Sequence, residues 1–244
     1  MHADEYLAHL ERDTEVIAAI VERADLDADV PSCPGWQLRD LARHVFEVLS
    51  FWEMDLQTRP ERPEQWQPPE LDDQALAEGL RSARSRLDET VRSISPDTTI
   101  WTWTERDTAA FVPRRMAQEI AVHRWDAESA AGGSQPIDAE LAADGIDEFF
   151  MLARASHVGE GSERVQITAT DLGHSWVGQT RDGVMTLQPG GGAADAALSG
   201  TASDLLLVLW RRLPMTDVEV SGETSLAQRM VSQAVDLQVA GQHV

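Results

Sequence analysis

Glu119, His123 and Asp126 have side-chain types and spacings that could do chemistry together. Glu119 and His123 are four residues apart, so on a helix they stack one turn above the other, and Asp126 follows on the same side. A helical wheel over 109–132 places Met116, Ile120, Ala127 and Ala130 on the apolar arc. Glu119, His123 and Asp126 fall inside or beside that arc, whereas Arg124 and Glu128 point away. Burying an unpaired carboxylate is costly, and it is relieved by a partner, a proton or a metal. One reading is a hydrogen-bonded Glu–His–Asp cluster that fixes helix register. The other is chelation, since a carboxylate and an imidazole one turn apart can hold one cation. His44, from a different helix, could supply a third ligand. Three protein ligands with an open position form the arrangement of a catalytic zinc site. Asp126 could then orient an imidazole from behind.

The elements that must position these groups are helical. Apolar periodicity predicts helices near residues 3–25, 37–57, 72–94, 109–132 and 138–155. Proline and glycine break the first connection, and four prolines fill a longer loop. The second helix places Leu38, Leu41, Val45, Val48, Leu49 and Trp52 on one stripe, with Arg39, Asp40, Arg43 and Glu47 opposite. His44 lies at the edge of that stripe, where a single histidine is more often a hydrogen-bonded core residue than a ligand. Such lengths and joins predict a four-helix bundle plus one extra helix. Beyond it come short β-prone runs at 165–170, 175–180 and 184–188, separated by turn signals. A helix at 203–213, a strand at 217–221 and a helix at 224–240 complete the expected order. The fold class is thus α+β, with a helical domain over 1–157 and a smaller α+β domain over 158–244. The linker is expected at Gly159-Glu-Gly-Ser162.

Composition excludes several functions. The 244 residues carry 20 basic and 42 acidic side chains, a net charge of −22. Such a field repels phosphate backbones and anionic headgroups, so neither nucleic acid nor a membrane surface is an expected partner. No apolar run is long enough to span a bilayer, and the acidic N-terminal residues do not read as a secretory signal. The single cysteine, Cys33, suits a cytoplasmic protein. The segment Pro189-Gly-Gly-Gly-Ala193 lacks the Lys-Ser/Thr of a phosphate-binding loop and reads as a turn.

Longer motifs surround these candidates. The segment Val30-Pro-Ser-Cys-Pro-Gly-Trp-Gln-Leu-Arg-Asp-Leu-Ala-Arg-His44 resembles the "CPGW…DL…H" signature of mycothiol-dependent maleylpyruvate isomerase-like proteins. These belong to the wider DinB-like group of metal-binding bundles. Glu119-Ile-Ala-Val-His-Arg-Trp-Asp-Ala-Glu128 is similar to the second half of that signature. Ala202-Ser-Asp-Leu-Leu-Leu-Val-Leu-Trp-Arg-Arg212 and Val218-Glu-Val-Ser-Gly-Glu223 are similar to the family's C-terminal domain.

The resemblance implies a DinB-like bundle followed by a sterol-carrier-like α+β domain. It implies zinc or another divalent ion held by His44, Glu119 and His123, with mycothiol as cosubstrate and a small electrophile as substrate. The implied reaction is thiol-assisted cis–trans isomerisation of maleylpyruvate or S-transfer by a thiol transferase. It also implies an assisting arginine from the C-terminal domain. Arg212 matches the usual "LWGR" position, Arg211 stands where Gly is common, and Arg229 is a third possibility. Cys33 invites reading as a nucleophile, but the resemblance puts the reactive thiol on the cosubstrate. Trp101 and Trp103 could line a pocket mouth or cap the bundle. The rival readings are a metal-binding sensor or scaffold, with Asp126 closing the coordination sphere, and a hydrolase that activates water on the metal. The expected state is a monomer or homodimer.

Overall fold

The structure is a computed structural model that describes residues 1–59, 63, 66–155 and 162–233. The chain divides into two compact units at Gln135/Pro136. The first contains α1 (Ala3–Val21), α2 (Leu38–Thr58), α3 (Leu76–Ser93) and α4 (Phe111–Ala130), with a single 3₁₀ turn at Asp73–Ala75 before α3. Local chemistry accounts for the starts. In α2 the Gln37 N–H donates to the Asp40 carboxylate, 2.9 Å away, three residues into the helix. In α4, Pro113 occupies the first turn, where its missing N–H has no intrahelical role.

Apolar stripes then pull the helices into a four-helix bundle. Leu10, Ile17, Leu41, Leu49, Leu80, Leu87, Met116 and Ile120 are all fully buried, each such side chain contributing on the order of 1.5–3 kcal/mol. Helix α1 packs on α4 and α3, and α2 on α3 and α4. Helices α2 and α4 run antiparallel, because the His44 ring meets His123 at one end and the Trp52 ring meets Phe111 at the other.

Helix α4 is buried almost all round, which corrects the expectation for one of its faces. Arg124, expected to point into solvent, is 5% exposed. Its guanidinium reaches Asp13 of α1 (3.6 Å), Glu128 (2.6 Å) and the Gln135 carbonyl (2.8 Å). A charged residue on the face away from the site is buried because α1 covers that face, and it carries its own counter-charges.

The second unit begins with α5 (Ala139–Ala155) and continues β1 (Arg164–Ala169), β2 (His174–Arg181), β3 (Val184–Pro189), β4 (Ala196–Gly200), α6 (Ala202–Leu209), β5 (Glu219–Gly222) and α7 (Thr224–Gln233). The sheet order is β3-β2-β1-β4-β5, with β1 and β4 parallel and all other pairs antiparallel. Helix α5 was expected in the first domain. It instead packs on α6 and β3, with Leu141, Ile146, Phe149 and Phe150 at or near zero exposure. The expected boundary at 157/158 therefore stands one helix too late; it and residues 159–161 of the expected linker lie outside the described residues, as does the end of the expected helix 224–240. Strand β4 carries no β-branched or aromatic residue, so it gave no strand signal. It is held by pairing on both sides, Leu198 standing opposite Ile167 and Val220. At Gly178 of β2 a Cβ would lie 2.9 Å from the Phe150 ring and 3.1 Å from the Met230 sulfur. A side chain there would push α5 and α7 off the sheet.

Helix α6 ends in paired hydrogen bonds, Arg211 N–H to the Val208 carbonyl (3.0 Å) and Arg212 N–H to the Leu207 carbonyl (2.7 Å). This closure requires a left-handed residue, and Arg211 takes it with φ of 60°. A non-glycine side chain in that region costs about 1–2 kcal/mol. Arg211→Gly should therefore raise stability by about 0.5–1 kcal/mol after the added flexibility of the unfolded chain is offset. Thermal unfolding of the two proteins measures this, and an unchanged or lowered midpoint would count against it.

In the bundle, Asp55 shares the stripe of α2 that carries His44, Val48 and Phe51. It is fully buried, and neither carboxylate oxygen has a hydrogen-bond partner among the described residues. Burial pushes its pKa from 3.8 up to about 7. An acid whose folded pKa lies above its unfolded value favours folding most when protonated in both states. Its contribution thus falls as pH rises from 3.8 towards 7, by ~1.4 kcal/mol per unit. Asp55→Asn should remove this slope and gain roughly 2–3 kcal/mol on wild type between pH 5 and pH 8. Urea unfolding at the two pH values is the measurement; parallel pH dependence in both proteins would refute it.

Candidate metal-binding site

The site is assembled from the loop before α2, from α2 itself and from α4. The loop contains a tight turn over residues 33–36, closed by the Trp36 N–H donating to the Cys33 carbonyl at 3.0 Å. Pro34 sets the first central position, and Gly35 takes the second with φ of 87°, the requirement of a type II turn. The turn holds Ser32 and Cys33 against α4. The Ser32 hydroxyl donates to Asp126 Oδ1 at 2.5 Å, and the Cys33 thiol donates to Oδ2 at 3.7 Å. After the turn, the Trp36 ring packs on the His44 ring, with centroids 5.1 Å apart.

Three of the residues expected as ligands come together. Each of His44, Glu119 and His123 offers a nitrogen or oxygen such that the three atoms lie within 4.8 Å of one another. The His44 and His123 rings meet edge to face at 4.9 Å, and His44 Nε2 is 3.4 Å from Glu119 Oε1. Asp126 is fully buried and stands 3.0 Å from His123 Nδ1. Nδ1 of His123 is thus engaged by Asp126, a contact that orients the ring. Asp126 therefore meets Ser32, Cys33 and His123, an arrangement that orients an imidazole and leaves little of the carboxylate to close a coordination sphere. The donor set, two imidazoles and one carboxylate, fits a divalent cation of zinc type.

The electrostatics agree with a carboxylate held ionised. Burial by itself would raise the Glu119 pKa. The hydrogen bond from His44 and the neighbouring Arg115 guanidinium, with contributions from the His44 and His123 rings, outweigh it and bring the value down to about 2. Arg115, one turn before Glu119 on α4, is 6% exposed, with its Nε 3.3 Å from Glu119 Oε2. Sequence reasoning did not single out Arg115, although its i, i+4 spacing from Glu119 was a legible signal. Ser32 offered none, because it meets Asp126 across 94 residues of sequence.

The remaining candidates fall elsewhere. Trp101 and Trp103, both partly exposed, join an aromatic cluster with Phe51, Trp52 and Phe111, neighbouring rings lying 5.2–6.2 Å apart. The arginines implied by resemblance belong to the second unit. Arg212 donates to the Trp210 carbonyl at 3.0 Å, and Arg229 pairs with Glu163 at 2.8 Å. Arg211 occupies the left-handed position that ends α6, a backbone reason for the glycine common there in the resembled pattern.

Residues 7–128, half of the chain, match the family model described as the mycothiol maleylpyruvate isomerase N-terminal domain, and residues 140–229 match the corresponding C-terminal domain. No curated protein matches the chain. Among solved structures it is similar to a histidine-to-alanine mutant of mycothiol-dependent maleylpyruvate isomerase, at 17% identity and a TM-score of 0.64, over 91% of this chain and 93% of that one. The unmutated isomerase is similar at 16% identity and a TM-score of 0.63, with the same coverage. At those identities the structures speak for the fold, and the family models for descent: the chain belongs to the mycothiol maleylpyruvate isomerase family.

Proposed function

We propose that the protein is an enzyme that uses a low-molecular-weight thiol, mycothiol, for cis–trans isomerisation of a small unsaturated acid such as maleylpyruvate, or for S-transfer to a related electrophile. The observation that carries this reading is the convergence of His44, Glu119 and His123 on one point, with Asp126 behind His123. When bound there, a divalent cation, zinc in this reading, supplies the positive charge that lowers the pKa of a thiol or polarises a substrate oxygen. His44 and His123 each give one ring nitrogen, and Glu119 gives one oxygen. Asp126 keeps His123 in the tautomer with the proton on Nδ1, and Ser32 and Cys33 keep the Asp126 carboxylate in place. Cys33 serves here as a donor, and the reacting thiol belongs to the cosubstrate.

The reaction follows from thiolate chemistry. A thiolate adds to the conjugated double bond, which becomes a single bond as the electron pair moves onto the carbonyl oxygen. Rotation about that bond and expulsion of the same thiolate restore the double bond in trans geometry, with no net gain or loss of atoms. The resemblance assigns the planar fork that holds a substrate carboxylate to an arginine of the C-terminal domain, and Arg212 stands at that sequence position. On a chain of net charge −22, a fixed cation for an anionic substrate matters more than long-range attraction.

The test combines metal content with thiol-dependent turnover. Wild type should hold about one equivalent of divalent metal and isomerise maleylpyruvate only when mycothiol is added. His123→Ala should lose both properties. Asp126→Ala should bind metal ~10–100-fold more weakly. Arg212→Ala should keep the metal and lower kcat/KM about 100-fold, as expected for a lost charge-assisted carboxylate contact. Full activity in a metal-free His123→Ala protein would sink the proposal, and turnover without thiol would point to hydrolysis.

A further inference from the structure

The carboxylate of Glu119 is divided between two partners. Its Oε1 lies 3.4 Å from His44 Nε2, while its Oε2 lies 3.3 Å from Arg115 Nε. Arg115, Glu119 and His123 follow one another at four-residue intervals along α4 and so share a face on successive turns. An i, i+4 ion pair on a solvated helix contributes only a few tenths of a kcal/mol. Arg115 is different, because it is 6% exposed and a guanidinium removed from water needs a fixed anionic partner. A buried cation thus stands against one oxygen of the Glu119 carboxylate.

We propose that Arg115 is a positioning residue of the metal site, holding Oε2 of Glu119 so that Oε1 alone is presented to the cation. This rests on the metal-dependent reading above. A carboxylate can give a cation one oxygen or both. If Glu119 gave both, the two histidines and Glu119 would fill four positions, the usual complement of zinc, and a thiol would have to displace one of them. With one oxygen given, a fourth position stays open for the thiol or for a substrate oxygen. The guanidinium also draws electron density from the carboxylate, which leaves the cation a stronger acceptor for that incoming group.

Cobalt(II) serves as the probe, because its visible bands are intense in four-coordinate sites and weaken at higher coordination. Wild type, Arg115→Met and Arg115→Lys are each loaded with cobalt and titrated with 2-mercaptoethanol. Wild type should show intense bands and take up the thiol with a new sulfur-to-cobalt band. Arg115→Met should bind one equivalent of cobalt but show weaker bands and a thiol dissociation constant raised at least ~10-fold. Arg115→Lys, which keeps a cation without the planar fork, should fall between the two. A cobalt spectrum and thiol affinity equal to wild type in both variants would overturn the inference and leave Arg115 as a helix-stabilising ion pair. If Arg115→Met does not fold, Arg115→Lys decides alone: an unaltered spectrum and thiol affinity overturn the inference, and intermediate values uphold it. A wild type that binds no cobalt would overturn the metal-dependent reading itself, an outcome distinct from cobalt binding that is indifferent to Arg115.

Discussion

A carboxylate with no access to water must find its donors inside the protein, and Asp126 is such a carboxylate. It finds them in Ser32 and Cys33 of the loop before α2 and in His123 of its own helix. One buried charge thereby does two things. It pins the loop that leads into α2, and with it the start of the helix that carries His44. It also orients the ring of His123. If this carboxylate were removed, the remaining donors would lose their common reference point, although each would keep its own helix.

The same logic extends along α4. An ordinary amphipathic helix has one dry face and one wet one, whereas α4 lies between α1 on one side and α2 on another. Its charged residues have sorted themselves accordingly. Arg124 settles against Asp13 and Glu128 on the face towards α1, a purely structural arrangement. Arg115, Glu119, His123 and Asp126 settle on the face towards α2, where the charges converge on one point. Both groups meet the cost of burial by pairing, but only the second brings, with His44, three potential ligand atoms within 4.8 Å of one another. That difference, rather than burial or charge by itself, separates a site from a scaffold.

The second unit shows how a backbone requirement can be mistaken for a functional signal. Two adjacent arginines close α6, and nothing in their types distinguishes them. The end of the helix does so, since one residue must adopt the left-handed conformation and Arg211 is that residue. Arg212 next to it is free of this demand and retains the sequence position at which the family's arginine is expected. Strand β4 teaches a related lesson. Its Ala-Ala-Leu-Ser-Gly sequence has no strand preference of its own, and it exists because β1 and β5 flank it with unpaired backbone groups.

The sequence by itself determined the helices of the bundle, the strands richest in β-branched residues, and the pairing of Glu119 with His123. These depend on periodicity and on neighbours within one or two turns, which a linear reading can see. His44 was legible only as a third donor awaiting a partner, because the contact that makes it one spans two helices. The tertiary structure alone decided that Asp126 is held by Ser32 and Cys33, that Arg115 faces Glu119 in a buried setting, and that Arg124 is inside rather than out. It also decided that α5 belongs with the sheet, although the Gly132-Gly-Ser-Gln-Pro136 break before it was available as a boundary signal. The physical reason is common to all of these: what a charged or apolar face does depends on which surface covers it, and that surface comes from residues far away in the chain.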